Sequence, residues 1–213
     1  MTKGGAVRWD RFFEDLEDQL SSEWEAERAA LDTEAERLRL ARVTLRERLM
    51  TLTGDGDHMI DVGDEEVLRG RVAAVGADWI ALEAEAARPG ALVVPLTAIR
   101  SIAAAHADLL RSARPGPAAA RRSLADRMSL GFVMRDAARR RVPVEIRLLG
   151  GRRLSGTIDR AGADHLDLAL HAPGTPRRAS EVSGHRMVPF AAVSWVRLDA
   201  GGDGASWSRE ASL

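Results

Sequence analysis

Thirteen residues, Gly70-Arg71-Val72-Ala73-Ala74-Val75-Gly76-Ala77-Asp78-Trp79-Ile80-Ala81-Leu82, recur 86 positions later as Gly156-Thr157-Ile158-Asp159-Arg160-Ala161-Gly162-Ala163-Asp164-His165-Leu166-Asp167-Leu168. No other feature limits the possible folds so strongly. Ile60, Val62 and Leu68 match Ile146, Leu148 and Leu154 at the same spacing. Downstream, Val94-Pro95-Leu96-Thr97-Ala98-Ile99 matches Val188-Pro189-Phe190-Ala191-Ala192-Val193 at a spacing of 94, so the second copy carries eight extra residues in a loop containing Pro173, Pro176 and Arg177-Arg178. Upstream, Thr44-Leu45-Arg46-Glu47-Arg48-Leu49 matches Ser123-Leu124-Ala125-Asp126-Arg127-Met128 at a spacing of 79. The unit is therefore a short helix followed by five strands, present twice.

Local chemistry supports that unit. Short β-like runs lie between turn residues over His58–Ile102 and again from Val142-Pro143 onward. Gly76-Ala77-Asp78 and Gly162-Ala163-Asp164 read as tight turns, with glycine supplying positive φ and aspartate bonding nearby backbone. Gly70 and Gly156 fall inside strands, where a missing side chain permits a sharp bend of the kind that closes a small barrel. Pro95 cannot donate to a ladder and marks a strand end or edge.

Ahead of the repeat, no Gly or Pro occurs between Gly5 and Gly54, and residues 8 to about 50 read as helix. Phe13, Leu16, Leu20, Trp24, Leu31, Ala35 and Leu38 form one apolar stripe. Its 3-4-4 spacing argues against a long left-handed coiled coil. About 40 helical residues at about 1.5 Å each span about 60 Å, wider than a small domain, so the stripe requires a partner surface. Thr44 with Glu47 resembles a capping box and predicts a break near Val43–Thr44.

The repeated unit resembles the Sm-like family, in which an N-terminal helix precedes a strongly bent five-stranded, partly open barrel. Val144-Glu145-Ile146-Arg147-Leu148 looks like the first strand, Gly150-Gly151-Arg152-Arg153-Leu154-Ser155-Gly156-Thr157-Ile158 the turn and bent second strand, and Asp164–Leu170 the third. Ile99-Arg100-Ser101-Ile102 resembles the family's Ile-Arg-Gly element. The resemblance covers residues 44–102 and 123–198. RNA-binding members carry Met-Asn in the third strand; here Ile80-Ala81 and Leu166-Asp167 stand there. Proteins of this kind from GC-rich bacteria are often labelled regulators of the Fis type, but residues 186–198 read as strands and give no C-terminal helix-turn-helix. The resemblance implies two helix-capped five-stranded Sm-like barrels (44–104 and 123–198). With the long N-terminal amphipathic helix (1–43), a linker (105–122) and a Gly-, Asp- and Ser-rich tail expected to be disordered (199–213), all three outside the resemblance, the chain reads as α+β, mainly β.

Charge is unevenly placed. Trp9 to Glu36 holds eleven acids and two arginines, and Arg111 to Arg153 holds twelve arginines and three acids. Lys3 is the only lysine among 31 basic residues, which points to a GC-rich coding bias as much as to phosphate binding. The candidate nucleic-acid contacts are Arg139, Arg140, Arg141, Arg147, Arg152, Arg153 and Arg100, with RNA the expected polyanion. The absence of cysteine excludes disulfides, thiolate metal sites and a thiol nucleophile. No phosphate loop or Gly-x-Ser-x-Gly elbow occurs. His165 and Asp167 lie on one side of a strand with His171 near, but Trp79 replaces His165 in the first copy, which favours an ordinary strand position over a metal ligand. No apolar run approaches the roughly 18 residues of a membrane helix, and no secretory h-region is present.

The expectation is a cytoplasmic, non-enzymatic interaction or assembly protein without cofactor, metal or small-molecule substrate. It engages a protein partner, or itself, through Phe13, Leu16, Leu20, Trp24, Leu31 and Leu38. The alternative is an RNA- or DNA-binding regulator acting through residues 111–153.

Overall fold

A computed structural model describes residues 6–63, 66–84, 90–114, 127–175 and 177–199. The expected disordered tail, Trp207 within it, and the Ser123–Asp126 capping pattern lie outside them. The chain divides into two compact units, Met1–Val43 and Thr44–Leu213.

The first unit is one helix, α1 (Ala6–Ala41), of 36 residues. Arg39 pairs with Glu36 at 2.8 Å and Arg37 with Glu34 at 3.7 Å, both one turn apart on exposed faces.

The second unit opens at the expected break. Thr44 is the N-cap of α2 (Leu45–Thr51), and both halves of the capping box are formed. Glu47 N–H donates to Thr44 Oγ1 at 3.2 Å, and Thr44 N–H donates to the Glu47 carboxylate at 2.7 Å. Ten strands follow: β1 (His58–Val62), β2 (Glu66–Val75), β3 (Trp79–Ala84), β4 (Gly90–Pro95), β5 (Ile99–Ala103), β6 (Pro143–Leu148), β7 (Arg153–Ala161), β8 (His165–Leu170), β9 (Gly184–Pro189) and β10 (Val193–Asp199).

These strands correct the expected architecture. They do not form two separate five-stranded barrels, but one ten-stranded antiparallel sheet in the order β5-β1-β2-β3-β4-β10-β6-β7-β8-β9. The join is the β4–β10 pair, with Val196 opposite Val93 and Leu198 opposite Ala91. The physical cause is an exchange of tryptophans. Trp79, from β3, is buried in the cluster built mainly from the second half, beside Leu130, Val133 and Ile158. Trp195, from β10, is buried in the cluster of the first half, beside Leu49, Ile60 and Val72. Each indole N–H also crosses the join: Trp79 donates to the Met128 carbonyl at 2.9 Å and Trp195 to Glu66 at 3.0 Å. Closing either half on itself would expose one of these rings.

The halves nonetheless share fine detail. A ladder irregularity falls between Val72 and Ala74 in one and between Ile158 and Arg160 in the other. Gly76 N–H donates to Trp79 O at 2.8 Å, and Gly162 N–H to His165 O at 2.8 Å. Neither glycine has positive φ, contrary to the expectation from the turns. They are glycines because the ring three residues on lies flat against them: a Cβ at Gly76 would stand 2.3 Å from the Trp79 indole, and one at Gly162 would stand 2.7 Å from His165. Gly156 is required by close approach too, since a Cβ there would lie 2.0 Å from the Ala169 carbonyl.

Two helices depart from expectation. The segment expected as linker contains α3 (His106–Ser112), tied to α2 by Arg48, which donates to Ser112 Oγ at 3.1 Å and to Leu109 O at 2.9 Å. The second half's helix, α4 (Leu130–Arg139), is capped by Ser129. Leu130, Val133, Met134 and Ala137 are buried beneath it at helical spacing. Its first turn is completed by the other half: Leu130 N–H donates to Asp78 Oδ1 at 2.7 Å.

Candidate functional site

Of the seven candidate arginines, four are engaged by carboxylates and do not border the cleft described below. Arg139 and Arg140 both turn back to the buried Asp136, Arg140 at 2.8 Å. Arg147 pairs with Glu66 at 3.1 Å, and Arg153 bridges Glu145 at 3.2 Å and Glu66 at 3.6 Å. Arg153 and Arg197 also lie over the Trp195 ring, 5.6 and 5.3 Å from its centroid. This network ties β2 of the first half to β6 and β7 of the second, so Arg147 and Arg153 serve the fold. Arg152 and Arg100 are exposed; Arg152 stands just before β7 and Arg100 in β5, strands that are not neighbours in the sheet.

The seventh, Arg141, borders an open cleft of about 590 Å³ on the β7–β9 side of the second half. Arg160, Arg177 and Arg186 border it too. Asp159 organises one wall. It accepts from Arg141 at 3.2 Å and Arg177 at 2.7 Å, and His185 Nε2 stands 3.8 Å away. Asp167 stands opposite Met187 in the β8–β9 ladder and Arg160 stands opposite Asp167 in the β7–β8 ladder, so these three form one row. No carboxylate among the described residues pairs with Arg160 or Arg186. The cleft thus presents four guanidiniums against two carboxylates.

Arg141 is held there at a conformational cost. It follows the C-terminus of α4 with φ 55, the only non-glycine residue of positive φ among those described. Glycine is the relaxed choice at that place in a helix end.

The repeat supplies an internal comparison. Asp159, Arg160 and Asp167 correspond to Ala73, Ala74 and Ala81, and His185, Arg186 and Met187 correspond to Ala91, Leu92 and Val93. The polar set exists in one copy only. Sequence reasoning reached Arg141 alone; this contrast between copies was the signal that would have found the others.

The second candidate surface is on α1. Trp24, Leu31 and Leu38 are 69%, 64% and 53% exposed. Phe13, Leu16 and Leu20 occupy helical positions continuing the same line, but their side chains lie outside the described set. Phe13, Trp24 and Ala35 are spaced by eleven, as are Leu20 and Leu31. Eleven residues make three turns at about 3.67 residues each, so the stripe runs nearly straight along the helix.

The histidines divide by environment. His171 is buried against Thr157 Oγ1 at 2.8 Å, a satisfied core pair. His165 Nδ1 lies 2.8 Å from Asp164, and this hydrogen bond holds the Asp164 carboxyl below its ordinary value. No group of three or more metal-ligating side chains occurs among the described residues. No helix among them is long and apolar enough to cross a membrane.

No family model, curated protein or solved structure matches this chain.

Proposed function

We propose that this chain is a non-enzymatic interaction and assembly protein that associates through α1. The observation carrying this reading is the exposure of Trp24, Leu31 and Leu38 along one line of a 36-residue helix. Large apolar groups in a contiguous exposed row mark interaction surfaces, and tryptophan is the side chain most often found as an interface anchor. Helices in water draw most of their stability from packing an apolar face, so a partner that covers the stripe also stabilises the helix. The partner is a protein with its own apolar helical face, or a second copy of this chain.

The test is sedimentation of the full chain beside the double variant Trp24→Glu, Leu31→Glu, combined with affinity capture by each. Wild type is expected to sediment above the 23.1 kDa of one chain, or to capture a protein the double variant does not. A wild type that stays at that mass throughout the micromolar range and captures nothing the variant fails to capture refutes the reading.

A further inference from the structure

We infer that the cleft bordered by Arg141, Arg160, Arg177 and Arg186 is a binding site for a phosphate-bearing ligand. Four observations meet there. First, Asp159 holds Arg141 and Arg177 at 3.2 and 2.7 Å, so two of the four guanidiniums are oriented before any ligand arrives. Prior orientation removes part of the entropy cost of ordering long side chains on binding. Second, Arg160 and Arg186 border the same cleft with no carboxylate pairing either of them among the described residues. Guanidinium presents planar paired donors that match phosphate oxygens, so this is the ligand class the wall suits.

Third, Arg141 occupies the left-handed backbone region at φ 55. A helix end built only for stability would carry glycine or asparagine there. The arginine stands there despite its backbone cost, and its side chain reaches Asp159 at the cleft wall. Fourth, the repeated half has Ala73, Ala74, Ala81 and Leu92 where this half has Asp159, Arg160, Asp167 and Arg186. A charge set required by the strand scaffold itself would recur in both copies. Arg177 lies in the loop that is eight residues longer in the second copy, so that loop supplies a cleft arginine.

The shared chemistry is phosphate; its source is either a small phosphorylated molecule or a nucleic-acid backbone. Two probes distinguish these: pyrophosphate, followed by titration calorimetry, and a fluorescein-labelled single-stranded RNA oligonucleotide, followed by anisotropy. The full chain is titrated as wild type, Arg160→Gln with Arg186→Gln, Arg141→Gly, and Arg152→Gln. Each cleft arginine lost is expected to weaken binding about tenfold, as for other hydrogen bonds to charged groups. Arg141→Gly is expected to fold at least as well as wild type and still bind about tenfold more weakly, which separates ligand loss from misfolding if the double variant is unstable. Arg152→Gln, on an exposed arginine outside the cleft, is expected to bind as wild type.

Tight binding of pyrophosphate with no gain for the oligonucleotide identifies a small phosphorylated ligand. Oligonucleotide binding that pyrophosphate displaces only at high concentration identifies the backbone of a nucleic acid. Absence of binding by both probes overturns the inference. So does an equal loss in Arg152→Gln, because the effect would then be diffuse charge.

Discussion

His58 is 2% exposed, and neither ring nitrogen has a hydrogen-bond partner among the described residues. Burying a polar group without a partner costs free energy that an apolar group of similar shape avoids. His58→Leu is therefore expected to leave stability unchanged or raise it by about 1 kcal/mol, measured by urea unfolding; a loss above about 2 kcal/mol would show that the ring has a partner. The opposite case is Trp195, 1% exposed and bonded to Glu66 at 3.0 Å. Trp195→Ala is expected to cost about 3–5 kcal/mol. Burial of Trp195 follows from its place in a strand, and the sequence allows that much. That its ring lies in the other half's core is not legible, because nothing in a strand's alternation says which of two neighbouring cores its apolar face meets. The same limit applies to the arginines. Arg139 and Arg140 read as a basic surface until Asp136, one turn earlier on the same helix, is seen buried beneath them.

Elements were the most legible level. The capping box at Thr44, the turns at Gly76 and Gly162 and the strand runs all follow from spacings of a few residues. Helix starts were less so: Ser129 caps α4, but Phe132 stands where a capping box would put Glu, so the pattern that marks Thr44 is missing there. The Thr44 box carries its own predictions. Thr44→Ala is expected to cost about 1 kcal/mol. The Thr44 backbone N–H, and then its hydroxyl, hold the Glu47 carboxyl below its ordinary value of 4.5. A carboxyl lowered in the fold stabilises it above the unfolded value and loses that contribution as pH falls through the folded value. The stability difference between wild type and Glu47→Gln should therefore be present at neutral pH and shrink below pH 4.5, as followed by urea unfolding at several pH values. A difference independent of pH would mean that the ionised carboxylate contributes nothing to the cap.

At the scale of the molecule, the repeat was legible and the sheet was not. Strand pairing within each half joins segments close in sequence, while β4 and β10 meet across about a hundred residues without a local marker. Because each half buries a tryptophan from the other, residues 44–199 are expected to unfold in one transition, with tryptophan fluorescence and far-ultraviolet circular dichroism superimposing. Two separated transitions would mean that the halves are independent.

Joining equal halves edge to edge has no natural end: a third half would fit the second as the second fits the first. This chain contains its own full stop. The strand that receives the second half reads Ala91-Leu92-Val93, and its counterpart on the outer edge reads His185-Arg186-Met187. The indole at Trp79 is likewise a histidine at the corresponding turn. Charged side chains on an outer strand disfavour edge-to-edge pairing, so His185→Ala with Arg186→Leu is expected to promote growth beyond one chain that light scattering would detect.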